Sequence, residues 1–157
     1  MSTPLNETVI RNARPDIAAW LAAFVERQGG FLGSVHLAGL VRDGEIALVA
    51  AHNLPPAVQN GTSVIPFGKG MAGTALRRRE AVAIDDFQND PTGVAVKAGR
   101  AAGARGSLTL PVFDPDDGTR VLAVVGLGFD EIRAFTDDEI ETFNKDAATI
   151  LHVIRAR

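Results

Sequence analysis

Cysteine is missing from all 157 residues. Its absence removes disulfides, thiolate metal ligands, cysteine nucleophiles and thioether-attached chromophores together. The opening MSTPLNETVI also lacks the basic start and apolar stretch of an export signal. No apolar run approaches the roughly 20 residues that span a bilayer. Cytoplasm is the expected compartment, and no membrane contact is expected. Basic charge is not in excess either: 16 Lys and Arg against 19 Asp and Glu leave a net charge of −3. That balance gives no reason to expect nucleic acid held by phosphate neutralisation. Internal repeats and low-complexity linkers are absent.

The composition that remains is globular, with 46% apolar and 22% charged residues. A chain of this length buries roughly two-thirds of its unfolded surface, so folding needs no disulfide or metal. Residues 1–13 read as a flexible arm or helical lead-in, and 14–157 as a single domain.

Arg14 to Gln28 has the pattern of an amphipathic helix. Pro15 suits its first turn, and Ile17, Trp20, Leu21, Phe24 and Val25 form one apolar stripe. Gly29 and Gly30 end it. Phe31–Leu40 and Glu45–His52 are predicted strands around the turn Arg42-Asp43-Gly44. Asn53–Thr62, rich in Pro and Gly, reads as a loop, and Ser63–Phe67 as a short extended piece. A helix over Gly70–Arg79, a strand over Ala81–Ile84, a polar loop over Asp85–Gly93 and a short helix over Val94–Ala102 follow. Ser107–Phe113 and Arg120–Phe129 are a second predicted strand pair around the turn formers Asp114 to Gly118. Thr136 and Glu139 form a capping box for a final helix striped by Ile140, Phe143, Ala147, Ile150, Leu151 and Ile154. This order predicts an α+β domain: a central antiparallel sheet with the first and last helices on one face and the middle segment on the other.

The strands do not alternate apolar with charged residues, as a sheet with one solvated face would. In Ser107-Leu108-Thr109-Leu110 and Ser34-Val35-His36-Leu37 the second face is polar but uncharged. Such a face suits a cavity beneath the middle segment. The plainer alternative is that backbone groups or buried water satisfy these side chains.

Several segments, in order, resemble the GAF domain family. They are Ala50-Ala51-His52-Asn53-Leu54-Pro55, then Pro66-Phe67-Gly68-Lys69-Gly70-Met71-Ala72-Gly73-Thr74-Ala75-Leu76, then Ala83-Ile84-Asp85-Asp86-Phe87. Ala102-Gly103-Ala104-Arg105-Gly106-Ser107-Leu108-Thr109-Leu110-Pro111-Val112 follows, and Arg133-Ala134-Phe135-Thr136-Asp137-Asp138-Glu139 leads into the last helix. The resemblance covers roughly residues 15–155. It implies a GAF-like, profilin-like sheet, a ligand pocket opposite the terminal helices, and a homodimer through those helices. Two activities of that family need cysteine, as nucleophile in free methionine sulfoxide reductases and as attachment point for bilins, and this chain has none. The family's cyclic-nucleotide pattern, Asn-Lys before Phe and Asp-Glu, occurs here in reversed order: Phe135 and Asp138-Glu139 precede Asn144-Lys145.

Gly68-Lys69-Gly70-Met71-Ala72-Gly73 matches G-x-G-x-x-G, but it lies mid-chain and outside an opening βαβ unit. A tight loop into a closely packed helix is the better reading, and that helix start could still hold an anion if it faces a pocket. Asp85, Asp86 and Asp90 cluster after a strand, but neighbours along a strand point apart, so a loop or ligand contact is favoured over a metal. Asp114, Asp116, Asp117 and Gly118 lack calcium-loop spacing and mark a hairpin tip. Arg77-Arg78-Arg79 suits a helix C-terminus. His36, His52 and His152 are scattered, and no Ser–His–Asp arrangement follows from spacing.

The expected function is a sensory or regulatory module that binds a small metabolite and performs no covalent chemistry, with no cofactor and no metal. The expected ligand-binding residues are Ser34, His36, Phe67, Met71, Asp86, Phe87, Arg105, Ser107 and Thr109. His36, Ser107 and Thr109 would supply hydrogen bonds, Phe67, Met71 and Phe87 apolar walls, and Arg105 a charge for an anion. A ligand-free protein-interaction module, with the output carried by a protein partner, is the second reading. An enzyme using His36 with Asp86 is the third.

Overall fold

The computed structural model describes residues 3–40, 42–89 and 102–155. Two short N-terminal helices, α1 (Glu7–Asn12) and α2 (Pro15–Arg27), precede the hairpin β1 (Leu32–Ala38) and β2 (Glu45–His52). The middle segment contains α3 (Pro56–Gly61), β3 (Val64–Pro66), α4 (Gly70–Arg78), β4 (Val82–Ile84) and a 3-10 turn at Phe87–Asn89. The second hairpin, β5 (Ser107–Asp114) and β6 (Asp117–Gly128), is followed by α5 (Asp137–Ala147) and α6 (Ile150–Arg155). The helix expected at Val94–Ala102 and the Asp90 carboxylate lie outside the described residues, save for Ala102 itself.

The six strands form one antiparallel sheet in the order β3-β2-β1-β6-β5-β4. Successive side chains on a strand point to opposite faces, so each central strand serves two layers. Val35 and Leu37 on β1, Leu108, Leu110 and Val112 on β5, and Ala123, Val125 and Leu127 on β6 join one core with Ile17, Leu21, Phe24 and Val25 of α2. Phe143 and Ala147 of α5 and Ile150 of α6 complete it. The terminal helices therefore cover one face, as their stripes predict. On the other face Ile46, Val82, Val121 and Val124 pack with Ala75 of α4.

Polar contacts fix the helical layer. Arg27 of α2 grips Asp146 of α5 through Nε at 2.9 Å and a terminal nitrogen at 2.7 Å, and Gln28 donates to the same carboxylate. The Trp20 indole N–H donates to Thr149 Oγ1 at 2.9 Å. At the start of α5 the capping box is closed: Thr136 Oγ1 accepts the Glu139 N–H at 3.2 Å, and Glu139 accepts the Thr136 N–H at 3.1 Å. Just before it, the Arg133 guanidinium lies 4.3 Å from the Phe129 ring centroid and bonds Glu139 at 3.1 Å, so the approach to the helix is held from both sides.

Three local readings change. The stretch read as a loop over Asn53–Thr62 contains α3, because Pro56 sits in the first turn, where its missing N–H costs nothing. The last helix breaks between Ala147 and Ile150, where Thr149 Oγ1 donates to the Asp146 carbonyl at 2.7 Å in competition with the backbone ladder. The second hairpin is tighter than expected, since Asp114 pairs with Asp117 and leaves Pro115 and Asp116 as its tip.

Leu110 is fully buried in the helix-side core. Leu110→Ala is expected to lower unfolding free energy by about 2–5 kcal/mol, while Ile132→Ala, at a 62% exposed position, is expected to stay within about 0.5 kcal/mol. Urea unfolding of the two variants checks the ranking.

Candidate functional site

A cavity of about 160 Å³ lies between the non-helical face of the sheet and the middle segment. Its floor is built from alternate residues of three strands: Ser34 and His36 of β1, Ser107 and Thr109 of β5, Val124, Gly126 and Gly128 of β6. Gly126 matters to that floor, since a Cβ there would stand 2.6 Å from Ser34 Oγ. Leu54, Val58, Thr62, Met71 and Phe87 wall the other side, and Lys69 to Ala72 close one end. The lining is largely apolar with a few polar groups, the usual make-up of a small-molecule site.

His36 is its most constrained polar group. It is only 3% exposed, and its Nε2 lies 2.8 Å from the Thr62 carbonyl oxygen. A carbonyl only accepts, so Nε2 carries the proton and Nδ1 is left with a lone pair. Nδ1 is buried and has no hydrogen-bond partner among the described residues. Burial pushes the pKa down to about 4 against the smaller opposing pull of the Thr62 carbonyl, so the ring is neutral at pH 7. Register places it beside a β-bulge, because the β1–β2 pairing slips between Val35 and His36.

Six of the nine expected ligand residues line this cavity: Ser34, His36, Met71, Phe87, Ser107 and Thr109. The other three do not, and the reasons are physical. Phe67 follows β3, where its N–H bonds the Gly44 carbonyl at 2.8 Å and the residue is 56% exposed. Asp86 and Arg105 hold each other, with Nε on Oδ1 at 2.7 Å and a terminal nitrogen on Oδ2 at 2.8 Å. Asn89 adds a donor to the same carboxylate at 2.9 Å, and the Phe87 N–H bonds the Arg105 carbonyl at 2.6 Å. Arg105 therefore clasps the 3-10 turn that carries Phe87 and is not a pocket cation. These donors, Arg105 foremost, hold the Asp86 carboxyl well below the usual carboxylate range. The pair of His36 with Asp86 is not made, as His36 bonds Thr62 and Asp86 bonds Arg105.

Residues outside the expected set also meet the cavity. Val58 and Thr62 reach it because α3 exists, and no pattern in Asn53–Thr62 other than its prolines signals that helix. Lys69 lies within the glycine-rich segment. There the geometry gives the glycines a packing role: Gly70 has φ +64°, and a Cβ on Gly73 would stand 2.6 Å from the Pro66 carbonyl oxygen. Among the described residues, no three His, Cys, Asp or Glu side chains converge as metal ligands, and no helix is long and apolar enough to cross a membrane. A wider hollow of about 600 Å³ opens on the helical side between Phe113 and α5. Its buried orphan atom, Asn144 Oδ1, exchanges with the amide nitrogen on rotation and so makes a weaker demand than a lone pair fixed by tautomer.

A family model described as GAF domain matches residues 8–154. Comparison with curated proteins gives no match. Among solved structures, a GAF domain from a phosphoenolpyruvate-protein phosphotransferase of Coxiella burnetii is 24% identical, with 92% of this chain and 88% of that chain covered and a TM-score of 0.64. The type II free methionine-R-sulfoxide reductase of Thermoplasma acidophilum is 15% identical, covering 92% and 95%, with a TM-score of 0.67. The free methionine-R-sulfoxide reductase of Neisseria meningitidis, in complex with its substrate, is 20% identical, covering 99% and 96%, with a TM-score of 0.63. These neighbours correct the expectation of a chain without covalent chemistry: the same fold carries enzymes, so the fold gives no ground for denying catalysis.

Two pH effects follow from the geometry. An unfolded imidazole takes up its proton near pH 6.5, whereas His36 in the fold does so only at about 4. Between those values the unfolded state binds more protons, so stability should fall as pH drops from 6.5 towards 4, and His36→Gln should flatten that part of the curve. The Asp86 contribution runs lower: its depressed pKa gives stability that is present at neutral pH and is lost as pH falls through the carboxylate range. Asp86→Asn should lower the urea midpoint at pH 7, with the gap to wild type closing towards pH 3. Urea midpoints between pH 8 and 3 for the three proteins check both.

Proposed function

Because this chain belongs to the GAF domain family and has a largely apolar cavity with a few uncharged polar groups on its floor, we propose that it is a sensory or regulatory module whose ligand is a small molecule bound between the sheet and the middle segment. The observation that carries the reading is the cavity itself, a largely apolar hollow with the uncharged polar residues Ser34, Ser107 and Thr109 on its floor. The cavity size supports the same reading, since voids of about 150 Å³ take a benzene-sized guest. The Neisseria meningitidis reductase, described in complex with its substrate, supports the capacity of this fold to accept a small molecule.

Occupancy has a route outward. His36 and Val35 are neighbours on β1, one facing the cavity and the other the α2 core. A ligand that shifts β1 therefore acts on the terminal-helix face, where a second copy or a protein partner would read it.

The test is thermal unfolding of the purified protein with and without the small molecules extracted from the freshly isolated, denatured chain. At a hundredfold excess over Kd, one site adds about 2.7 kcal/mol, which raises Tm by about 5–10 °C at about 2–4 °C per kcal/mol. Thr109→Leu, which fills the cavity from β5, should abolish the gain. An unchanged gain in that variant would remove the cavity as the site, and no gain with any extract would remove the small-molecule reading.

A further inference from the structure

We infer that the ligand is an uncharged, flat ring compound that lies over Gly126 and turns a hydrogen-bonding edge to Ser34 and Thr109. The inference rests on the small-molecule reading above and adds the chemical class. Three features of the same cavity carry it.

The first is a gap in the floor. β6 is the middle strand there, and register sets Gly126 between Ser34 of β1 and Thr109 of β5. Gly126 has no positive φ, so its backbone does not require glycine. Its neighbours do not require it either. A Cβ there would stand 2.6 Å from Ser34 Oγ, which a single rotation moves aside, and apart from its chain neighbours every other described atom lies 3.9 Å away or farther. Glycine inside a strand weakens it and marks a place where another molecule can approach the backbone closely. Met71 and Phe87, packed together, stand on the opposite wall. A thin ring fits between that wall and the bare peptide surface, whereas a puckered one cannot lie as close to either.

The second is a pair of unpartnered hydroxyls. Among the described residues nothing bonds Ser34 Oγ or Thr109 Oγ1, and unlike His36 Nδ1 neither is sealed inside the protein. Neighbouring strands lie about 4.8 Å apart, so the two residues flank the gap from either side, and the Ser34 hydroxyl leans over it. A hydroxyl donates once and accepts twice, so an N–H, an O–H or a carbonyl on the edge of the ring satisfies it.

The third is charge. No described acidic residue lines the cavity, and its one described cation, Lys69, is exposed at one end. A full charge over Gly126 would lose its hydration without an opposite charge to meet it, which costs far more than burying a neutral group that is hydrogen-bonded. The volume of about 160 Å³ takes a single ring, with roughly six to eight non-hydrogen atoms in the whole guest.

Calorimetric titration at pH 7 with phenol and furan-2-carboxamide tests the class. Furan-2-carboxylate and N-methylpyridinium bring the two charges at similar size, toluene lacks the polar edge, and cyclohexanol lacks the flat ring. Phenol or the carboxamide should bind tenfold or more tightly than any of these four. Ser34→Ala combined with Thr109→Val, which removes both hydroxyls and little volume, should bring the better ligand down to the level of toluene. Gly126→Ala should keep the fold and weaken that ligand tenfold or more. Either charged ring binding as well as the neutral ones overturns the uncharged assignment. Toluene binding as well as phenol, or a silent double variant, overturns the assignment of the hydroxyls. Cyclohexanol matching phenol overturns the flat ring, and unchanged binding in Gly126→Ala overturns its position. No binding by phenol or the carboxamide overturns the class, while the extract experiment separately decides whether the cavity takes a ligand at all.

Discussion

The 2.8 Å bond from His36 Nε2 to the Thr62 carbonyl joins the floor of the cavity to its wall. It spans from β1 to the C-terminal end of α3, and it does so with a ring that burial keeps neutral. Because the proton is spent on Thr62, the other nitrogen can only accept. One contact thus sets the tautomer, and burial sets the charge. A protonated His36 would have to place a second N–H in a pocket lined mostly by carbon, and the lowered pKa expresses that cost.

The sheet makes this arrangement possible by keeping its two faces chemically distinct. Leucines and valines at alternate positions of β1, β5 and β6 are spent on the helical layer, which leaves Ser34, His36, Ser107 and Thr109 for the other side. None of these four carries a charge, so the face can be buried without ion pairs. The charged residues that might have served the cavity are used around it. Asp86 and Arg105 fasten the turn bearing Phe87, and Arg27 with Asp146 fastens α2 to α5. Exposed pairs of this kind contribute little energy one by one; their value is geometric, since each fixes the direction of a short element that has few buried contacts of its own.

The layering was readable from residue patterns because it depends on periodicity, which is local. Stripes at helical spacing placed the first and last helices, and the uncharged second face of Ser107 to Leu110 pointed to burial on both sides. What escaped were features decided by contacts distant in sequence. Arg105 looks like a free cation along the chain, and only folding brings Asp86, nineteen residues earlier, onto it. Phe67 looks like a wall residue, but the chain leaves β3 on the outward side there. Thr62 takes part through its backbone carbonyl, which every residue possesses, so no side-chain pattern can mark it. The helix α3 was hidden because proline is read as a breaker, whereas in a first turn it is a starter.

The lack of cysteine and the likeness in fold to reductases bear on different things. A fold supplies a walled cavity and a place to anchor a ligand; the chemistry done there depends on which groups meet it. Structural neighbours of this chain include enzymes, so absence of catalysis does not follow from the fold. The thiol route is closed here because the chain has no thiol. Among the described residues, another route would draw on the polar groups that line the cavity: the neutral imidazole of His36, the hydroxyl residues Ser34, Thr62, Ser107 and Thr109, and Lys69. An imidazole of pKa about 4 is a poor proton acceptor near pH 7, where a general base works best with a pKa close to the ambient pH.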